Sequence, residues 1–345
     1  MEVKGKEVDI DRFGKNNILQ DLKKLSQNIL LGDGETFELE LLFSNESEFN
    51  AVAYLENEKA VSNISISTVI DIYHHSLIMM KRNDFFDVLG KEKNLDNPFE
   101  IWEFEYPQVT ELDTGYRQIN FYEGPEAELK RNAAYLMTWF GMEFLIFHEI
   151  GHHLGGHIKY IRESLGVQAL FANDQSSVIE AKQYQLLEMD ADAIAVNLLL
   201  EDLYVKFHYY LKYISDATLL PQLLLSALTT VFFLIKKDFV EQFDQDSNKY
   251  LPRDFRFYLV VNIILNKFDR EYKACKYNQS NEMFIGVIQK TNMLLQELYC
   301  NEDDWQGIEL NNLRDIGNYY EKILLSEWQP LRNKLMKYSK IKLPE

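Results

Sequence analysis

Apolar and polar positions fall into two regimes along this chain of 345 residues. Up to about residue 124 the period keeps changing. FELELLF (37–43) alternates after the turn-like GDGE, and NAVAYLE (50–56) and SNISIS (62–67) are short runs of the same kind, so strands are predicted there. Thr68 to Val88 reads as a helix, with Ser67 as its N-cap. IWEFEY (101–106) and YRQINFY (116–122) are further strand candidates.

From Pro125 onward the helical pattern takes over. GPEAELKRNAAYLMTWFGMEFLIFHEIGHHL opens with Pro125 in a first-turn position and with Glu126 and Glu128 at the positive end of the helix dipole. It closes at Gly155–Gly156, where a left-handed cap costs the backbone least. A second helix is expected from about Val178 to Lys206, a third over Leu219–Phe239, and amphipathic helices over 252–340. The predicted fold class is α+β, predominantly α. A mixed α/β region (1–124) precedes a helical core (125–250) and a C-terminal helical region (251–345), with the seam near Gly124.

Composition changes this picture little. Seven prolines and fifteen glycines favour long helices over a turn-rich β fold. A net charge of −18 argues against nucleic acid or an anionic membrane as the main partner, because both repel an acidic surface. Cys275 and Cys300 form no CxxC pair, and MEVKGKEVDI has no apolar signal region, so a reducing, cytoplasmic setting is expected. Leu219–Ile235 carries no charge but includes Pro221, Gln222, Ser226, Thr229 and Thr230. It falls short of the roughly 20 apolar residues of a membrane span, so a buried core helix is predicted instead.

The candidate chemistry lies at the end of the first long helix. FHEIGHHLGGH (147–157) holds four of the seven histidines, and His148-Glu149-Ile150-Gly151-His152 is an HExxH. On a helix the two histidines lie one turn apart on one face and can reach one ion, while Glu149 is rotated about 100° from His148 and can act on a water without being a ligand. Such a pentad arises by chance in roughly one chain in a hundred of this size, so a third ligand decides its weight. A histidine six positions after His152 would make a metzincin; that residue is Ile158. A glutamate on a following helix is the other solution, and LLEMDADAIAVNLLL supplies Glu188 with Asp192 one turn later. Leu187, Ala191, Ile194 and Leu198 form that helix's predicted core face, with Glu188 and Asp192 on the stripe beside it. Buried unpaired carboxylates are costly, and a cation shared with His148 would relieve them.

The expected roles are His148, His152 and Glu188 as zinc ligands, Glu149 as general base, and Asp192 as the partner of a ligand histidine, His148 foremost. Asp190 is the rival to Asp192 if the helix phase differs; otherwise it sits with Glu201 on a partly solvated acidic edge. His153 is expected to be structural. His157 could cap the helix, contact substrate or steady the transition state. Tyr160, His157, Tyr250 and Arg253 are all candidates for oxyanion stabilisation, and His74, His75 and His208 lack ligand spacing.

HEIGHHLGGH followed by ExDADxxA resembles the small gluzincin metallopeptidases, over about residues 130–206. Within that group the Lit-type phage-exclusion peptidases and their neighbours are similar. The resemblance implies a zinc-dependent endopeptidase acting on one or few intracellular proteins, with an activating partner conceivable. Many such proteins carry an HPP…R segment; YLPRDFR (250–256) here keeps Pro252 and Arg256 but has Tyr250 for the histidine. Two other readings stand beside it. One is a binding or sensor protein whose zinc only stiffens a helical bundle, although a structural site has no need of Glu149. The other is a metal-free interaction protein, which leaves Glu188 and Asp192 to solvent. An aminopeptidase is disfavoured, as no acidic motif to capture a free amine is evident.

Overall fold

The structure, a computed structural model, describes residues 18–81, 125–171, 181–235, 253–271, 281–298, 318 and 320–343, apart from 28, 31–34, 47, 48, 167, 168 and 215. The strand candidates at 101–106 and 116–122, together with Tyr250, Pro252, Cys275 and Cys300, lie outside these residues. The described part is mainly helical, with a small sheet at its N-terminal side, as the α+β class requires.

Helix α1 (Ile18–Leu25) leads into strands β1 (Ile29–Leu30), β2 (Thr36–Phe37), β3 (Glu40–Ser44), β4 (Ala51–Glu56) and β5 (Lys59–Ser65). FELELLF keeps its alternation, since Phe37, Leu39, Leu41 and Phe43 are all buried, but its two halves bond to different partners. β2 pairs with β1, the Leu39 N–H goes to the Ser26 carbonyl at 2.9 Å, and β3 lies parallel to β5. Alternation fixes which side faces the core, not which strand each half joins. β4 and β5 form a hairpin through Asn57 and Glu58, whose φ angles of 49° and 66° are those of a tight two-residue turn. β6 (Ala169–Phe171) completes the four-stranded sheet, in the order β3-β5-β4-β6.

β5 runs straight into α2 (Ile66–Lys81), so the helix starts earlier than predicted and its cap moves from Ser67 to Ser65. The Ser65 hydroxyl accepts from the Thr68 N–H at 3.3 Å, while Ser67 donates to the Glu46 carbonyl at 3.0 Å. With no loop between strand and helix, the last strand residue is the one placed to cap.

The helical layer is built around α3 (Pro125–Leu154) and α5 (Ala181–Val205), which pack along each other. The short α4 (His157–Leu165) follows α3, and α6 (Phe207–Tyr210) follows α5. α7 (Leu219–Leu234), α8 (Arg253–Glu271), α9 (Asn281–Leu298) and, after a π-helical turn at Tyr320–Leu324, α10 (Leu325–Leu335) complete the described helices. α7 is buried along almost its whole length between α3, α2, α8 and α9. Its buried hydroxyls are satisfied: Thr229 donates to Leu225 O at 2.7 Å and Thr230 to Ser226 O at 2.8 Å, while the Ser226 hydroxyl accepts from Thr291 of α9 at 3.2 Å. No helix among the described residues is long and apolar enough to cross a membrane.

One close approach positions the site. A Cβ on Gly151, within the HExxH, would lie 2.9 Å from the backbone oxygen of Ala191. Any larger residue would push α3 and α5 apart where their polar side chains meet.

Candidate metal centre

That contact brings the last turns of α3 against the first half of α5. His148, Glu149 and His152 meet Glu188 and Asp192 there, and all five are buried. His148 Nε2 lies 3.1 Å from His152 Nε2 and 3.5 Å from Glu188 Oε2, and His152 Nε2 lies 3.4 Å from Glu188 Oε1. A tetrahedral ion with bonds of about 2.0–2.1 Å holds neighbouring donor atoms roughly 3.3 Å apart. The three side chains stand at that spacing, and together they could hold a metal ion.

The surrounding contacts determine what each nitrogen offers. His148 Nδ1 is 2.9 Å from Asp192 Oδ1, somewhat off the line of the ring N–H. A carboxylate has only lone pairs to give, so this nitrogen carries the proton. His157 Nε2 lies 3.0 Å from Asp190 Oδ2 and by the same logic donates; in the neutral ring this leaves His157 Nδ1 as an acceptor. His152 Nδ1, 3.0 Å away, then donates to it. Both Nε2 atoms are left as lone pairs, pointed at each other and at the Glu188 carboxylate. Only positive charge between them makes this arrangement favourable: a cation, or a proton in its stead.

The ionisation preferences agree. Burial pulls His148 down, but Asp192 and Glu188 outweigh it and push the imidazole up to about 10. Burial raises Glu188 and Asp192, yet His148 and Arg256 together hold each down to about 2. His152 goes well below its ordinary value through burial, with Glu188 opposing. Glu149 is raised to about 7, mainly by burial, with the charges of His148 and Arg256 pulling against it.

Arg256, from α8, is the group that the sequence understated. Its Nε and NH2 grip Asp192 at 2.7 and 2.9 Å, and NH1 lies 3.2 Å from Glu188 Oε2. The guanidinium fork therefore holds both carboxylates in place. The available signal was that two carboxylates on an apolar helix need a cation, and Arg256 sits between Phe255 and Phe257, both buried.

The remaining candidates take other places. His153 faces the sheet, its Nε2 3.2 Å from Val61 O, a structural position as expected. Asp190 is buried on His157 rather than partly solvated; only Glu201 sits on the exposed edge. His157 is fully buried with both ring nitrogens engaged, so it backs His152 and leaves no edge for a substrate. Tyr160 packs in a second cluster against the Tyr338 ring, and Arg253 is engaged by Asp254 and the Phe233 carbonyl. His75 bonds the Asp71 carbonyl, its ring meets His74 edge-on, and His208 is exposed. No protein family, no curated protein and no solved structure matches the chain.

Proposed function

We propose that the protein is a zinc-dependent peptidase of gluzincin type. The observation that carries this is the convergence of three potential ligand atoms, His148 Nε2, His152 Nε2 and a Glu188 carboxylate oxygen, on one point that calls for positive charge, beside a buried carboxylate, Glu149, that no ion pair or hydrogen bond among the described residues engages. Two imidazoles and one carboxylate suit zinc. Held there, the ion supplies Lewis acidity toward a water and a peptide carbonyl.

The protein's own groups do the rest. Asp192 and the His157–Asp190 pair keep the ligand nitrogens facing inward, and Arg256 keeps Glu188 and Asp192 ionised and aimed. Glu149, buried beside these groups, takes a proton from the attacking water and passes it to the leaving amine. A site whose ion merely stiffens the bundle has no use for this residue.

Glu149→Ala separates the roles. The variant is expected to bind one zinc as the wild type does. It should release no new N-termini from a pool of unfolded proteins that the zinc-loaded wild type cleaves, as read by mass spectrometry. Loss of the ion in this variant, or undiminished cleavage, would show that Glu149 is not the base.

A further inference from the structure

The two ligand histidines are supported differently. Behind His148 stands a carboxylate, Asp192, at 2.9 Å. Behind His152 stands a second imidazole, His157, at 3.0 Å, and behind that Asp190, again at 3.0 Å. All three members of this second chain are buried, His157 completely. Such an arrangement needs a local fold that turns the backbone sharply after His152 and returns a ring onto it.

LGGH is that fold. Gly156 has a φ of +78°, in the left-handed region. A Cβ on Gly155 would lie 2.5 Å from His157 Nε2, so only glycine leaves room for the ring. A Cβ on Gly156 would lie 2.6 Å from both Ser339 N and the Tyr338 carbonyl carbon, because the C-terminal segment crosses the turn at contact distance. That segment also caps α3: the Leu154 carbonyl accepts from the Lys340 N–H at 2.8 Å and from the Ser339 hydroxyl at 3.0 Å. The final carbonyl of the metal-bearing helix, the glycine pair and His157 are thus fixed by one clasp.

We propose that His157 and Asp190 are positioning residues for the metal centre: the buried Asp190–His157–His152 chain fixes His152 with its proton on Nδ1 and its Nε2 lone pair toward the ion. The inference rests on the peptidase reading only for the use made of the ion; the tautomer it predicts belongs to the metal-free protein. It also gives each glycine of the pair a task, one to admit the His157 ring and one to accept the clasp.

The test compares the wild type with His157→Phe, Asp190→Ala and Asp190→Asn. Zinc affinity is measured by competition with a chelator, and the His152 tautomer by 15N imidazole spectra of metal-free protein. His157→Phe and Asp190→Ala are expected to weaken zinc by about 10–100-fold, the range for residues that orient a ligand. The metal-free spectra of both should lose the pure Nδ1–H signature of His152. Asp190→Asn is nearly isosteric and keeps an oxygen to accept the His157 proton, so it should retain the tautomer and most of the affinity, and it serves where the alanine variant does not fold. Wild-type affinity in Asp190→Ala, or a lower melting temperature with the His152 tautomer unchanged, would overturn the proposal. If the wild type takes up no zinc, the peptidase reading fails on its own, and the metal-free spectra still decide for or against the chain.

Discussion

Helices α3 and α5 bury carboxylates at two levels, and the two levels differ in the cations available. At the candidate metal centre Glu188 and Asp192 face His148 and the Arg256 fork, and both are held down to about 2. Farther along the same helix pair, Glu143 is fully buried beside the Asp202 carboxylate and the Trp139 indole, with no well-aligned hydrogen bond to either oxygen. Burial drives its carboxyl well above the usual range, Asp202 adds to this, and Lys206 opposes. Asp202 takes the donors at that level, Lys206 Nζ at 2.6 Å and the Tyr210 hydroxyl at 2.8 Å. Glu143 is left to keep its own proton. Both levels are buried; the supply of cations decides whether a carboxyl stays ionised or keeps its proton.

Arg256→Met strikes this contrast hardest. It removes the fork from two buried carboxylates while keeping much of the side-chain volume. Metal-free protein should lose roughly 3–5 kcal/mol in urea unfolding, the cost of leaving buried charge unpaired. A loss below about 1 kcal/mol would mean that the histidines alone suffice.

A smaller effect, with a definite sign, is expected from Glu143→Gln. A carboxyl whose folded pKa lies above its unfolded value binds a proton on folding, so its stability contribution is lost as pH rises above about 4.5. The variant should match the wild type at pH 4 and exceed it by about 1 kcal/mol or more at pH 8 in metal-free unfolding. Glu188 and Asp192 work in the opposite direction. Held down to about 2, they stabilise above their unfolded values of 4.5 and 3.8, and that stability fades as pH falls toward 2. Equal stability of Glu143→Gln and wild type at both pH values would remove the contrast.

The parts of the site within one helical turn were legible in the sequence. His148 with His152, and Glu188 with Asp192, are local spacings that any helix places on one face, and both pairs lie where that geometry puts them. What depended on neighbouring elements was not legible. α5 is enclosed on most sides by α3, α8 and α10, so a stripe of apolar residues understated its burial and Asp190 was assigned to solvent. Arg256 comes from a helix more than sixty positions after Asp192, and no local period could link them. Glu143 sits in the apolar run MEFLIF, where hydrophobic neighbours announce burial but not the missing partner. In the sheet, alternation assigned the inward residues of FELELLF correctly, but the change of strand partner at Leu39 required the fold.

Three donors on α3 and α5 stand where they could share one cation. Elemental analysis of untagged wild type beside His152→Ala tests this most directly. One zinc per chain is expected in the wild type and none retained by His152→Ala. A wild-type protein that carries no metal and takes up none from added zinc would contradict it.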